Sequence, residues 1–274
     1  MNRVLPWLLV TPAILAIVVL LVLPLLDTIS VTFIQEEGVF AGYQEFFDRR
    51  FNRGVLWRTV RIALIVTAIA IAIGFPTAYF IARAPRSWRS ILIVASVFPL
   101  LTSTVVRSFA WIVILGRNGI INETLMGLGL ISEPLSMLYT EGAIIVGLAY
   151  LFSPLMILSL VGVLENIDKS VVEASISLGA SPAKTFWRVI LPLAMPGVIV
   201  GAVLVFTGSF TSYTTPVLLG GQRNTVLATL LFREAMTEFD WASASTIAVI
   251  MMALTITVVL IMSRVARRLN PAAA

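Results

Sequence analysis

ENIDKSVVEASISLGASPAKTFWRVILP, residues 165–192, is the long polar interruption between the later apolar blocks of the chain. Ser170 followed three residues later by Glu173 has capping-box spacing, so a short helix is expected from about residue 171 to 178, ending at Gly179. Ser181 then caps a second helix with Pro182 at its first position, where a missing N–H costs nothing. Val171, Ala174, Ser175 and Leu178 fall on one stripe of small and apolar groups, suited to a shallow groove rather than a thick core. The segment therefore reads as a short helix and a second helix joined at an angle at Gly179, with a docking surface on the first.

On either side of this interruption the chain is too apolar for water. Of its 274 residues 59% are hydrophobic and only 12% charged, and the mean hydropathy is +1.00. That composition belongs in a bilayer. The stretch 4–26 has no charge over 23 residues, more than the roughly 20 that cross a hydrocarbon core. It is read as an uncleaved first span, because its apolar run exceeds that of a secretory signal and no small-residue cleavage site follows. Residues 62–82 and 91–115 make the second and third spans, joined by the tight connection RAPRSWR, and 142–164 the fourth. The uncharged run 189–222 has 34 residues, more than one crossing needs, and should break within TGSFTSYTTP, residues 207–216. Residues 243–263 are the sixth span. The connection 27–61 is expected to lie outside the membrane along its surface, with no predictable fold.

Six spans put both termini on one side, together with the second and fourth connections. Ten Lys and Arg residues then fall on that side, Arg83, Arg86, Arg89 and the tail arginines among them, against eight opposite. The tight connection and the tail decide the orientation, placing these segments and both termini in the cytoplasm. The formal charge of +5 reflects these topology signals and not a nucleic-acid surface. With no Cys and no His, thiol chemistry, imidazole bases and the common zinc sites are excluded. No paired carboxylates fall within a span, so no catalytic residue and no metal ligand are expected.

The polar segment resembles the EAA loop of permease subunits of binding-protein-dependent ABC importers. That pattern is Glu-Ala-Ala, three residues, Gly, nine residues, Ile, one residue, Leu-Pro; here it reads Glu173, Ala174, Ser175, Gly179, Val189, Leu191 and Pro192, with Ser for the second Ala and Val for Ile. VRSFAWIVILGRNGIIN, EPLSMLYT and TPVLLGGQRN further resemble the permease class for spermidine and putrescine, so the likeness covers about residue 62 to the end. The resemblance implies an all-α integral membrane protein with six transmembrane helices, the type I ABC importer permease fold and a cytoplasmic coupling helix in the inner membrane. It divides the chain into a first helix with its outer segment, 1–61, and a five-helix core, 62–274. It also implies a second permease subunit in a heterodimer, two ATP-binding subunits that hold the ATP and Mg, and a periplasmic or extracellular solute-binding protein. This chain itself has no Gly-x-x-x-x-Gly-Lys-Ser/Thr and needs no cofactor. Importers for aminophosphonates, iron, thiamine or opines share much of the pattern and are the alternatives on substrate. A channel or secondary transporter is the alternative on class, though an ionisable relay or matched broken helices would then be expected.

By resemblance, Glu173, Ala174, Ser175, Gly179 and Ala180 are the residues that couple to the ATPase. Phe210, Thr211, Tyr213 and Thr214 are pathway candidates, because hydroxyls and aromatics in an apolar span face protein or water. Their alternative role, bonding to the preceding helical turn or joining helices, stands beside this one. Arg107, inside the third span, is expected at the outer rim or in an ion pair, and not in contact with a cationic substrate.

Overall fold

The computed structural model describes residues 11–12, 14–33, 38 and 40–269, and among these all regular structure is helical. Six described helices are long and apolar enough to cross a membrane. The first is α1, Ile14–Val31. Residues 4–10 and 13 of the expected first span lie outside the described residues, and the helix continues past residue 26 through Asp27. The next elements are α2, Ala41–Asp48, and α3, Arg50–Arg83. Helix α3 begins twelve residues before the expected second span; its 34 residues extend about 50 Å against a core of about 30 Å. Hydropathy marks where a helix is apolar, not where it starts. The first turns of α3, carrying Arg50, Arg53, Arg58 and Arg61, are helical beyond the apolar run.

The expected third span, 91–115, is not one helix. It is divided between α4, Arg86–Leu101, and α5, Thr104–Leu115, by extended backbone at Thr102 and Ser103. Pro99 lies in the last turn of α4, where a proline removes one ladder bond and crowds the preceding turn, and the helix stops two residues later. Helix α6, Ile120–Gly127, follows, and the run from Thr104 to Gly127 supplies the third of the six candidate crossings. Helix α7 is Glu141–Glu165, capped by Thr140, whose Oγ1 accepts from Ala143 N at 3.2 Å. Then come α8, Lys169–Ser177, and α9, Pro182–Thr211, which contains a π-turn at Phe186–Ile190. The last elements are α10, Thr214–Gly220; α11, Leu227–Met236; and α12, Trp241–Leu269.

The chain falls into two compact units. One is Met1–Val55 with Leu230–Ala253, the other Leu56–Thr229 with Leu254–Ala274. In the first, Asp240 caps the start of α12, accepting from Ser243 N at 3.0 Å, and this bond holds its carboxyl below the usual carboxylate range. Arg233 lies over the ring of Phe51, 5.7 Å from its centroid.

The second unit is organised around α7. That helix is apolar on every side, as a helix at the centre of a bundle must be. Met156 and Leu160 on α7 pack with Ala194, Val198 and Ala202 on α9 and with Ile62, Val66 and Ala70 on α3. The four-residue spacing of each set is the period of one helical face. Small residues bring the backbones of α7 and α9 together. A Cβ built at Gly201 would meet Ser159 Oγ and lie 2.6 Å from Met156 Sδ and 3.1 Å from Met156 Cα; one at Gly197 would lie 2.9 Å from Ser159 O. In lipid, where burying apolar surface gains little, close packing of this kind holds helices together.

Candidate functional site

The polar segment forms a stiff elbow. Helix α8 starts two residues before the capping-box expectation. Asp168, not Ser170, is its N-cap, and Asp168 Oδ1 accepts from Ser170 N at 2.9 Å. Aspartate reaches the second free N–H as readily as serine, so the earlier cap wins and Glu173 lies too far into the helix to close a box. The Ser170 backbone N–H, then its hydroxyl, holds the Asp168 carboxyl below its ordinary range. The helix ends as expected at Gly179, whose φ is +80°. Gly179 N donates to Ile176 O at 2.8 Å and Ala180 N to Ser175 O at 3.1 Å, the paired bonds of a Schellman end.

Ser181 caps the next helix, accepting from Lys184 N at 3.3 Å with Pro182 at the first position. This second helix is the first part of α9. It runs through the π-turn into the rest of α9, because nothing between Thr185 and Leu191 supplies a stop signal. Ser175 Oγ and Thr185 Oγ1, 3.0 Å apart, tie the two arms across the joint, with Thr185 buried. The serine that departs from the Ala of the EAA pattern therefore braces the elbow.

The expected stripe is present as an open groove of about 360 Å³, with Val171, Ala174, Ser175, Leu178 and Ala180 on its walls and Lys184 and Arg188 at its rim. Leu178 is 89% exposed, an apolar side chain held out of its own subunit. Of the five expected coupling residues, Ala174, Ser175 and Ala180 line the groove and Gly179 makes the turn beside it. Glu173 is apart from them, lining a second cavity on the opposite face of α8. The two rim cations were missed in the sequence, where Lys184 and Arg188 carry no signal beyond orientation.

The second constellation is the break in the fifth span. It falls within residues 207–216: α9 ends at Thr211, Ser212 is extended, and α10 starts at Thr214. Phe210 is fully buried and stacked on Phe206, with centroids 5.6 Å apart. Thr211 is exposed, and its Oγ1 donates to Thr207 O at 2.8 Å. Tyr213 and Thr214 are half-buried at the break itself. The far end of α10 is tied down. Tyr139, in the left-handed region at φ 59°, donates its N–H to Leu219 O at 3.0 Å, and Asn224 Nδ2 donates to both Tyr139 O and Gly220 O at 2.8 Å. Arg58 extends the tie, donating to Glu141 Oε1 at 2.9 Å and Thr225 O at 3.0 Å, while Arg61 also pairs with Glu141.

Arg107, in the first turn of α5, does not form the expected ion pair. It is buried and, among the described residues, has no acidic partner. Its Nη2 donates to Thr102 O at 2.6 Å, so the guanidinium closes the break between α4 and α5 by satisfying a carbonyl that the interrupted helix leaves open.

An apolar six-crossing chain, a capped elbow with an uncovered groove, and a broken fifth span define a recognisable membrane component. The family model described as "Binding-protein-dependent transport system inner membrane component" matches residues 2–273. The chain belongs to this family. As a member of the binding-protein-dependent transport family it is an integral inner-membrane permease component and not an enzyme. It is 33% identical over 201 residues to the spermidine/putrescine transport system permease protein PotB of Escherichia coli, which covers 72% of this chain and 73% of that protein. To PotB of Haemophilus influenzae it is 32% identical over 235 residues, 83% of this chain and 82% of the relative. The fold matches a chain of a bacterial ABC transporter involved in the import of the acidic polysaccharide alginate, with TM-score 0.77 and 17% identity over 96% of this chain and 95% of that one. At that identity the likeness is one of fold.

Proposed function

We propose that this permease component belongs to an ATP-driven importer that carries polyamines of the spermidine and putrescine type inward. The observation that carries the reading is the elbow: a groove of small side chains with an 89% exposed leucine, on a joint fixed by a Schellman end, a serine cap and a hydroxyl bridge. Such a surface suits a partner that must push on the membrane helices without deforming the contact. Two ATPase subunits are that partner and hold the ATP and Mg. A second permease subunit completes the core, and a solute-binding protein delivers the substrate. The elbow, the connection at Arg83–Arg89 and both termini lie in the cytoplasm on this reading, in line with their arginines. The relatives named for spermidine and putrescine support the substrate class.

At the break, exposed Thr211 and half-buried Tyr213 and Thr214 are the groups placed to meet the substrate, whereas Phe210 is buried against Phe206. A flexible polycation passes aromatic faces and hydroxyl oxygens without being held tightly, and one cation–π contact contributes about 0.5–2 kcal/mol. Tyr213→Ala is expected to lower radiolabelled spermidine uptake into proteoliposomes roughly two- to thirtyfold, with assembly of the complex intact. A wild-type complex that hydrolyses ATP with its cognate binding protein but carries neither spermidine nor putrescine would remove the polyamine assignment and leave the importer reading.

A further inference from the structure

Behind the elbow, on the face of α8 opposite the groove, lies a cavity of about 600 Å³ that the transport reading does not use. Its polar wall holds three cations, Arg83, Arg89 and Lys169, and two carboxylates, Glu165 and Glu173. Arg89 neutralises Glu165: its Nε is 3.3 Å from Glu165 Oε1, while its Nη2 donates to Ala82 O at 3.0 Å. Lys169 and Glu173, one turn apart on α8, balance in formal charge but form no ion pair among the described residues, so the Lys169 ammonium keeps its donors. Arg83 is left over. Its guanidinium is stacked over the Tyr79 ring, 3.9 Å from the centroid, and has no acidic partner among the described residues. The Nε–H of Arg89, close to Glu165, makes no hydrogen bond among the described residues. The cavity therefore carries excess positive charge with donors to spare.

The rest of the wall is apolar, with Leu164, Ile167, Val172 and Ile190 among its residues. On the neighbouring turns of α3 and α4, Phe80, Trp88 and Ile91 are 67%, 61% and 59% exposed, a surface suited to acyl chains. We infer that the cavity takes the phosphate headgroup of an anionic phospholipid from the adjacent leaflet. The phosphodiester oxygens accept from Arg83, Arg89 and Lys169 while the chains run along Trp88 and Ile91. Basic pockets between membrane helices at the cytoplasmic surface suit such headgroups, and the inference rests on the proposed placing of the elbow there. The same charges disfavour a polyamine. Because Lys169 and Glu173 belong to α8, a headgroup in this cavity braces the elbow from behind, so transmission through the elbow depends on the lipid.

The test is native mass spectrometry of the whole complex in nanodiscs of phosphatidylcholine and phosphatidylglycerol in equal parts. Wild type is expected to retain phosphatidylglycerol, and the double variant Arg83→Gln/Lys169→Gln to bind it about 25-fold more weakly, at about fivefold for each charge. Arg86→Gln/Arg264→Gln, which removes the same charge from exposed positions outside the cavity, and the charge-preserving Arg83→Lys/Lys169→Arg are expected to retain it. Equal loss in both neutralised variants would reduce the effect to general attraction by a basic surface and overturn the site, as would no loss in either. Displacement of the lipid by millimolar inorganic phosphate would assign the cavity to a soluble anion instead. Copurification of the ATPase with the wild-type permease is read separately, so failure of the importer reading is distinguishable from failure of the lipid site.

Discussion

Gly179→Val is expected to leave the permease expressed and inserted but to lower binding-protein-stimulated ATP hydrolysis and uptake at least about tenfold. A Cβ at position 179 would meet nothing within 4 Å, so crowding is not the cause. The cost lies in the backbone. At φ +80° a β-branched residue is strained by roughly 1–3 kcal/mol, and the chain relieves this by leaving the left-handed region. Doing so gives up the bonds from Gly179 N to Ile176 O and Ala180 N to Ser175 O and swings α8 away from the Ser175–Thr185 bridge. The groove then no longer faces as it did. Gly179→Asn, which tolerates the left-handed region better, is expected to fall between wild type and valine. Valine at 179 with wild-type stimulated hydrolysis would remove the elbow from the coupling route.

Gly201→Leu is expected to have the other large effect, on the fold rather than on coupling. Its Cβ would sit 3.1 Å from Met156 Cα and 2.6 Å from Met156 Sδ, with Ser159 Oγ closer still. A side chain can turn aside, but the α7 backbone can yield only by separating the two helices that carry the core of the larger unit. Overpacking of this kind costs about 1–3 kcal/mol, which corresponds to a loss of about 3–10 °C in the melting temperature of the detergent-solubilised complex. Gly162→Leu is the matched control on the same helix pair, because a Cβ there meets nothing within 4 Å. Equal melting temperatures for the two variants would contradict the close approach.

The contrast between these positions shows what the amino-acid sequence discloses. Crossings were legible because exclusion of charge over some twenty residues is a local property, and the break near residue 212 was legible as excess length with clustered hydroxyls. The elbow was legible for the same reason: Gly179, Ser181 and Pro182 act on their immediate neighbours. Starts and stops governed by competition were less so. Asp168 displaced Ser170 as a cap, and α3 began at Arg50, because a helix outside the bilayer is not limited by hydropathy. What depends on residues far apart in the chain was not legible at all. The tie from Arg58 to Glu141 and Thr225, the bonds of Tyr139 and Asn224 at the end of α10, and the exclusion of Phe210 from the break by its stack on Phe206 are of this kind. Arg107 belongs with them. An arginine in an apolar run suggests an ion pair or the rim; that its acceptor is a carbonyl of an interrupted helix five residues upstream is not announced by the local pattern.

The chain has no cysteine, so one placed at Leu178, 89% exposed in the groove, reports directly on what covers it. With an impermeant maleimide the purified permease carrying Leu178→Cys is expected to label rapidly, and the same protein assembled with its ATPase subunits about tenfold more slowly or not at all. In intact cells it is expected to be protected. Equal labelling with and without the ATPase, or rapid labelling from outside the cell, would contradict the assignment of this elbow as the surface through which ATP hydrolysis drives the membrane helices.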